Sequence, residues 1–195
     1  MRKAKLKRTT KETDIRLELY LDGTGEVEID TGLGFLDHML THLAMHGLFD
    51  LQLTAQGDLE VDEHHIVEDC ALALGQAFDQ ALGDRKGITR MGSAFVPMDE
   101  TLAQVVVDLS GRPYSVIQVK WNVPQVGGIS TTLFTHFLES FAVTARCNLH
   151  ARLLYGMDDH HKAEALFKGL GRALDQACLL DSRRGGQIPS TKGTL

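Results

Sequence analysis

The chain has 195 residues, of which 43% are hydrophobic, and a formal net charge of −6 at pH 7. This length and composition predict one or two compact domains with a proper core. No apolar run approaches the roughly 18 residues of a membrane-spanning helix, and no apolar segment follows the basic N-terminus as in a secretory signal. The acidic charge argues against nucleic acid as the main partner. We therefore expect neither a nucleic acid nor a membrane as partner.

The three cysteines favour a cytoplasmic location. Cys70, Cys147 and Cys178 are odd in number and widely spaced, and two of them lie inside helical apolar patterns. This distribution is typical of buried, reduced thiols in a cytosolic protein.

Strand and helix signals alternate along the first half of the chain. Apolar and polar residues alternate over residues 15–21, which predicts a half-buried strand. Gly47 and Gly83 follow two apolar helical patterns, and glycine commonly ends a helix. In chain order we predict strands near residues 4–10, 15–21 and 27–29, a helix over 35–46, a strand near 51–54 and a helix over 62–82.

The second half repeats this order, which indicates an internal duplication. Glu100-Thr101 repeats Glu12-Thr13, and the helical segment around His136 repeats the segment around His38. The repeat predicts strands at 105–109 and 148–155 and a long helix over 159–180. We predict an α+β protein of two similar βα halves, residues 1–90 and 91–195, with largely antiparallel sheets and helices on one face. The polar tail, residues 183–192, is predicted to be a binding arm.

The motif His-His-x-x-Glu occurs twice, at residues 64–68 and 160–164, and each copy begins an apolar, helix-forming run. Residues four apart lie on one face of a helix, so the first histidine and the glutamate of each copy can bind one ion together. Adjacent residues diverge by about 100° on a helix, so the second histidine of each copy points away from that ion. Each copy is therefore predicted to contact two ions.

His38 and His136 supply one more histidine in each half, which gives each ion three imidazoles and one carboxylate. Four protein ligands leave two positions open on an octahedral ion, which suggests catalysis rather than a structural role. The ligand types suit manganese, iron, cobalt or zinc but not calcium. We predict that one ion takes His38, His65, His160 and Glu164, and that the other takes His64, Glu68, His136 and His161. His42 and His46 continue the His38 face; they are either a solvated helix face or the wall of the same pocket.

Four residues outside the motifs are candidates for binding an anion. Arg90 follows the first long helix, and Ser190 and Lys192 lie in the tail that follows the second. Arg112 lies in the turn Ser110-Gly111-Arg112-Pro113. Arginine in a glycine-containing turn suits a bidentate phosphate contact, although each residue alone would be an ordinary surface charge.

Three segments resemble the signature sequences of the imidazoleglycerol-phosphate dehydratases: residues 34–40 (GFLDHML), 62–69 (DEHHIVED) and 155–168 (YGMDDHHKAEALFK). The resemblance extends from Arg8 to Gly193. One departure is Thr41-His42, where the family often carries Asp-Gln. The resemblance implies a pair of fused βα domains like the second domain of ribosomal protein S5, and a homo-oligomer of about 24 subunits with sites between subunits.

The resemblance also implies a cytoplasmic lyase of histidine biosynthesis that converts imidazoleglycerol phosphate to imidazoleacetol phosphate. It implies two manganese ions in each site, which would act as Lewis acids on the two ring nitrogens. By the same resemblance Glu12 is the candidate acid/base. The substrate contacts that it implies are Glu12, His42, His46, Arg90, Arg112, Lys168, Ser190 and Lys192. The predicted catalytic residues are Glu12 and the eight predicted metal ligands.

Two other functions use the same features. A dinuclear metallohydrolase could bind a phosphate ester at the same ions, and it would release phosphate where a dehydratase retains it. A non-enzymatic metal-binding or S5-like module would bind without turnover. The net acidity and the open metal positions argue against this last alternative.

Overall fold

The computed structural model describes residues 2–193, which form two four-stranded sheets, a short hairpin and four long helices. The first half contains β1 (Lys3–Thr9), β2 (Thr13–Tyr20), β3 (Val27–Asp30), α1 (Gly34–Gly47), β4 (Asp50–Gly57) and α2 (His64–Leu82). The second half contains β5 (Met91–Met98), β6 (Thr101–Asp108), β7 (Tyr114–Gln118), β8 (Gln125–Val126), β9 (Ile129–Ser130), α3 (Thr131–Thr144), β10 (Asn148–Tyr155) and α4 (Asp159–Cys178). A 3-10 turn, Ser182–Arg184, begins the tail.

The two four-stranded sheets have the same topology, with strand orders β1-β2-β4-β3 and β5-β6-β10-β7. In each sheet two neighbouring pairs are antiparallel. The edge strand, β3 or β7, pairs in parallel with its neighbour, because α1 or α3 carries the chain back across the sheet. The predicted α+β class with two similar halves and largely antiparallel sheets is confirmed.

Alternation of apolar and polar residues places one face of each sheet in the core. Ile15, Leu17 and Leu19 of β2 are buried, while the polar residues between them face outward. Leu17 pairs with Leu53 of β4, so both strands turn their apolar sides to the same layer.

The helices form the inner layer, and they pair across the two halves. The long helix α2 packs on β1 and β2, and α4 packs on β5 and β6. α1 packs against α4, and α2 packs against α3. Within the α2–α3 pair, the ring centroids of Phe78 and Phe141 are 5.5 Å apart. Phe137 of α3 and Phe167 of α4, with ring centroids 5.0 Å apart, link the two helix pairs to each other.

Two glycines allow these helices to approach closely. A Cβ atom on Gly171 of α4 would lie 2.2 Å from the Leu43 carbonyl oxygen of α1. A Cβ atom on Gly75 of α2 would lie 2.6 Å from the Phe141 carbonyl oxygen of α3. The two glycines occupy the same place in the two long helices, so the duplication preserves the helix spacing that both candidate sites depend on.

The predicted boundary between residues 90 and 91 falls at the first residue of β5. The helices pair across the halves, so independent folding of either half stays a prediction. Cys70, Cys147 and Cys178 are buried free thiols. Within residues 2–193, no helix has the length and apolar character needed to cross a bilayer.

Candidate metal centre and active site

Both histidine motifs lie at the N-terminal ends of the long helices, where an aspartate carboxylate accepts a hydrogen bond from the backbone N–H of the motif's first histidine. The Asp158 carboxylate accepts a 2.8 Å hydrogen bond from the backbone N–H of His160 at the start of α4. The Asp62 carboxylate accepts the same 2.8 Å bond from His64 at the start of α2. Asp158 is the N-cap of α4, whereas Asp62 precedes Glu63, the N-cap of α2. In both helices the aspartate satisfies an otherwise unpaired N–H group of the first turn.

The first candidate metal group consists of His38, His160 and Glu164, whose ligand atoms all lie within 4.8 Å of one another. The Nε2 atoms of His160 and His38 lie 3.3 Å and 3.8 Å from Glu164 Oε2. Glu164 is nearly buried, with 7% of its side chain exposed, whereas His38 and His160 are 44% exposed. The carboxylate therefore lies at the floor of the group and the imidazoles at its mouth.

The second group consists of His64, Glu68 and His136, and it has the same composition and spacing. His64 Nε2 lies 3.5 Å from Glu68 Oε2, and His136 Nε2 lies 3.5 Å from Glu68 Oε1. Within residues 2–193, His136 Nε2 is a buried polar atom that has no hydrogen-bond partner. A buried nitrogen without a partner carries a desolvation cost, which a bound cation would remove.

Each group combines both halves of the chain. His38 lies on α1 and joins the motif on α4, while His136 lies on α3 and joins the motif on α2. The α1–α4 and α2–α3 packing therefore creates the two groups. Imidazole and carboxylate donors fit the predicted class of ion, a borderline transition metal such as manganese, iron, cobalt or zinc.

The first group carries extra polar residues. His42 Nε2 lies 3.1 Å from Glu164 Oε1 and shares a hydrogen bond of 3.3 Å with His38 Nε2, while Lys168 forms an ion pair with Glu164 Oε1. Burial raises the pKa of Glu164, but Lys168 and His42 outweigh burial and hold that pKa below its ordinary value. Burial lowers the pKa of His42 to about 4, against the opposing effect of Glu164, which favours the neutral ring at pH 7.

His46 lies one helical turn beyond His42 and lines a different opening. Its ring centroid is 5.9 Å from that of His42. It borders a surface cavity of about 570 Å³ together with Arg172 and Asp175. Burial lowers the pKa of His46, and Arg172 adds to this effect. His42 therefore lies beside the first group, and His46 extends its wall towards solvent.

The second histidine of each motif, His65 or His161, belongs to neither three-residue group of its own chain. His161 Nδ1 lies 2.7 Å from Glu100 Oε2, and this contact is the main cause of a raised pKa for His161. His65 Nδ1 lies 3.1 Å from both Asp58 oxygens, which in the same way raise the pKa of His65. An ionised carboxylate only accepts hydrogen bonds, so both rings donate through Nδ1.

Glu12, the candidate acid/base, lies in the β1–β2 turn beside His65. Its carboxylate is 54% exposed and approaches His65 Nε2 at 3.8 Å. In the described part of the chain, no hydrogen bond holds this carboxylate. Glu12 is therefore free to move towards a ligand at the motif end of α2.

The anion-binding candidates come together at the opposite end of the molecule. Arg90 donates to both Asp108 oxygens at 2.7 Å and 2.9 Å, and to the Pro189 carbonyl oxygen at 2.8 Å. Its backbone N–H donates to the carbonyl oxygen of Ala177, near the C-terminal end of α4. Arg112 follows the end of β6 and is exposed.

Ser190 and Lys192 lie in the tail beside Arg90. Within one chain, the structure therefore separates all four anion-binding candidates from the metal groups. His160 and Ala177 are 17 positions apart along α4, which corresponds to about 26 Å.

Sequence reasoning did not select Glu100 and Asp58, the two carboxylates that hold the second histidines. For Glu100 the signal was present, because Glu100-Thr101 repeats Glu12-Thr13 in the duplication. Asp58 lies in the loop before α2, where an acidic residue is ordinary, so nothing in the sequence pattern distinguished it.

Comparisons with known proteins show the family of this chain. A family model described as "Imidazoleglycerol-phosphate dehydratase" matches residues 31–174. The protein of that name from Roseiflexus sp. (strain RS-1) is 59% identical over 100% of this chain and 98% of its own length. The one from Chloroflexus aurantiacus is 57% identical over 100% of this chain and 95% of its own length.

Solved structures give the same result. The crystal structure of imidazoleglycerol-phosphate dehydratase from Staphylococcus aureus has a TM-score of 0.84 at 36% identity, covering 92% of this chain and 99% of that one. The crystal structure of IGPD from Pyrococcus furiosus in complex with (S)-C348 has a TM-score of 0.85 at 38% identity, covering 97% of this chain and 100% of that one. The resemblance predicted from the sequence is confirmed: the chain belongs to the imidazoleglycerol-phosphate dehydratase family.

Proposed function

We propose that this chain dehydrates imidazoleglycerol phosphate to imidazoleacetol phosphate, a step of histidine biosynthesis. The observation that carries the proposal is the pair of matching groups, each with two imidazoles and one carboxylate, at equivalent places in a duplicated chain. Two matched ion sites suit a substrate ring that has two nitrogens. Membership of the family supports the same reaction.

The proposed cofactor is a pair of manganese ions. His38, His160 and Glu164 would hold one ion, and His64, Glu68 and His136 would hold the other. His65 and His161 would each supply a further ligand, in both cases through Nε2. Bound ions would supply Lewis-acid stabilisation of negative charge on the imidazole ring.

The chain's own residues would move the proton and orient the substrate. The exposed carboxylate of Glu12 would accept the proton from the carbon next to the one that loses hydroxide. Lys168, nearly buried beside Glu164, and His42 would line the pocket with fixed donors. Arg112 and Lys192, with Ser190 and Arg90, would bind the phosphate. Of these, Arg90 already uses its guanidinium on Asp108.

The geometry of one chain supports sites that are shared between copies. The metal end and the anion end of α4 are about 26 Å apart. A ring with a phosphorylated three-carbon chain spans roughly 10 Å, given covalent bonds of about 1.5 Å. One substrate molecule therefore cannot reach both ends of a single subunit. We propose a homo-oligomer, a shell of 24 subunits, in which one copy supplies the metal groups and another the anion-binding residues.

A cytoplasmic location is part of the proposal, and its support is the three buried free thiols.

Mass spectrometry of the product tests the proposed reaction. A dehydratase gives a keto product that has lost one water and retains phosphate. Release of inorganic phosphate would indicate the hydrolase instead. Metal analysis of the purified protein, with the variants His64→Ala and His161→Ala, tests the ligands, because both should lower metal content and abolish turnover. Full activity in a metal-free double variant would rule out the metal sites.

A further inference from the structure

The duplication places a glutamate directly before β2 and before β6, but the two glutamates have different surroundings. Glu12 belongs to the longer turn between Thr9 and Thr13 and is 54% exposed. Glu100 belongs to the two-residue turn that joins Met98 to Thr101. The second turn is therefore the tighter one, and it holds its glutamate against the start of α4.

Glu100 is held by four donors. Its Oε1 atom accepts hydrogen bonds from the backbone N–H groups of Met157 and Asp158, at 2.9 Å and 2.8 Å, and from the Thr101 hydroxyl at 3.0 Å. Its Oε2 atom accepts from His161 Nδ1 at 2.7 Å. Backbone N–H groups can only donate, so Oε1 acts as an acceptor, and the unprotonated carboxylate offers Oε2 as an acceptor as well.

The two oxygens of Glu100 therefore have separate tasks, since one anchors the loop before α4 and the other faces the imidazole. An ionised carboxylate has no proton to give, so His161 must carry a proton on Nδ1. A neutral imidazole with a proton on Nδ1 has its lone pair on Nε2. Nε2 is the atom through which the four histidines of the two metal groups face their carboxylates.

We infer that Glu100 is a positioning residue that fixes the tautomer and orientation of His161 so that Nε2 is available to a metal ion. The inference rests on the proposed role of His161 as a metal ligand. Its counterpart in the first half is Asp58, which holds Nδ1 of His65, and this leaves Glu12 free for the substrate. The same ancestral glutamate thus has a structural task in one half and a chemical task in the other.

The substitution Glu100→Gln tests the inference because an amide has only one acceptor oxygen. Three donors surround the Oε1 position, so the amide oxygen stays there and the NH2 group faces His161 Nδ1. That nitrogen must then accept, which moves the ring proton to Nε2 and blocks metal binding through it. We expect metal affinity at one ion site to fall about 10- to 100-fold, as for other carboxylates that orient metal-binding histidines.

The matched control is Glu12→Gln, the same substitution at the duplicated position. Because Asp58 rather than Glu12 holds Nδ1 of His65, this variant should keep the His65 tautomer and bind both ions with unchanged affinity. Glu100→Asp keeps an acceptor-only side chain and should retain the proton on Nδ1 of His161.

Solid-state NMR of metal-free, ¹⁵N-histidine-labelled protein at high pH, where the rings are neutral, reports the tautomer directly. The His161 signals are identified by their loss in His161→Gln. We expect a protonated Nδ1 in the unsubstituted protein and a protonated Nε2 in Glu100→Gln, with manganese titration showing the weakened site. A protonated Nε2 in the unsubstituted protein would overturn the inference without any variant. Undiminished manganese affinity in Glu100→Gln would do the same. These measurements use no substrate, so a failure to dehydrate would contradict the proposed function and leave the inference standing.

Discussion

Subunits with complementary defects should restore activity when they share an oligomer. His160→Ala removes a proposed metal ligand, and Arg112→Ala removes an anion-binding candidate at the opposite end of the same chain. Both side chains are exposed, His160 at 44%, so neither truncation should cost much folding free energy. Loss of one charge-assisted phosphate contact costs about 1.5–3 kcal/mol, which lowers kcat/KM about 10- to 100-fold. The His160→Ala oligomer should be inactive.

The magnitude of the rescue follows from how a site is built. If one subunit supplies the metal end and another the anion end, random mixing leaves both ends intact in about a quarter of the sites. Co-expression with two affinity tags and sequential purification gives the mixed oligomer, and kcat/KM is measured at low substrate concentration. We expect about a quarter of the unsubstituted value. If each site lay within one chain, activity would stay at half that of Arg112→Ala, and that result would refute shared sites.

Three further changes test other parts of the structure. Glu12→Gln should retain both metal ions and its thermal unfolding midpoint, because no described residue forms a hydrogen bond with this carboxylate. It should lower kcat about 10²- to 10⁴-fold, because the amide cannot accept the proton. Turnover at the unsubstituted rate would remove Glu12 as the acid/base. His42→Gln should leave the metal content at two ions per chain, whereas His38→Gln should lose one ion, since only His38 belongs to a ligand group. Loss of an ion from His42→Gln would show that His42 is also a ligand. The Asp50 carboxylate accepts backbone N–H bonds from Thr24, Gly25 and Glu26, and the Thr24 bond is the main reason why the pKa of Asp50 lies below its ordinary value. Asp50→Asn should therefore lose about 1 kcal/mol of stability at pH 7, or roughly 2–4 °C in Tm. A carboxyl group whose pKa is lowered on folding stabilises the fold at pH values above its pKa in the unfolded chain, about 3.9, and this stabilisation is lost as the pH falls through its pKa in the folded protein. The difference in stability between the unsubstituted protein and Asp50→Asn should therefore disappear in strong acid. A difference in stability that persists there would have another cause.

The local patterns of the sequence predicted most of the fold. Alternation along residues 15–21 placed β2, and the repeat of the His38 segment around His136 placed the additional histidine of each ligand group. The parallel β3–β4 pair was less evident, because consecutive strands suggested hairpins although a helix between two strands favours a parallel return.

Long-range contacts were beyond the sequence patterns. Arg90, just before β5, pairs with Asp108 at the end of β6 and also donates to the Pro189 carbonyl oxygen in the tail. No local periodicity relates these residues. Helix geometry predicts that the two histidines of each motif diverge, and neither His65 nor His161 belongs to a three-residue group of its own chain. Helix geometry could not tell whether the second histidine, His65 or His161, turns to the other ion of its own chain or outward, because that depends on the distance between helix ends in the folded protein.

The two ligand groups are equivalent in composition but not in surroundings, and this difference bears on how the substrate is oriented. His42 and Lys168 contact Glu164 in the first group, whereas Ser140 and Leu72 occupy their duplicated positions near the second. Glu164 is 7% exposed and Glu68 is 37% exposed. An imidazole ring offers two similar nitrogens, but the phosphorylated chain leaves it on one side only. Two identical ion sites would bind that ring in either orientation, whereas Lys168 and His42 beside one of the proposed ions would distinguish the two orientations. The duplication would therefore provide the two ion sites, and the later divergence of these positions would fix the orientation in which the substrate ring binds.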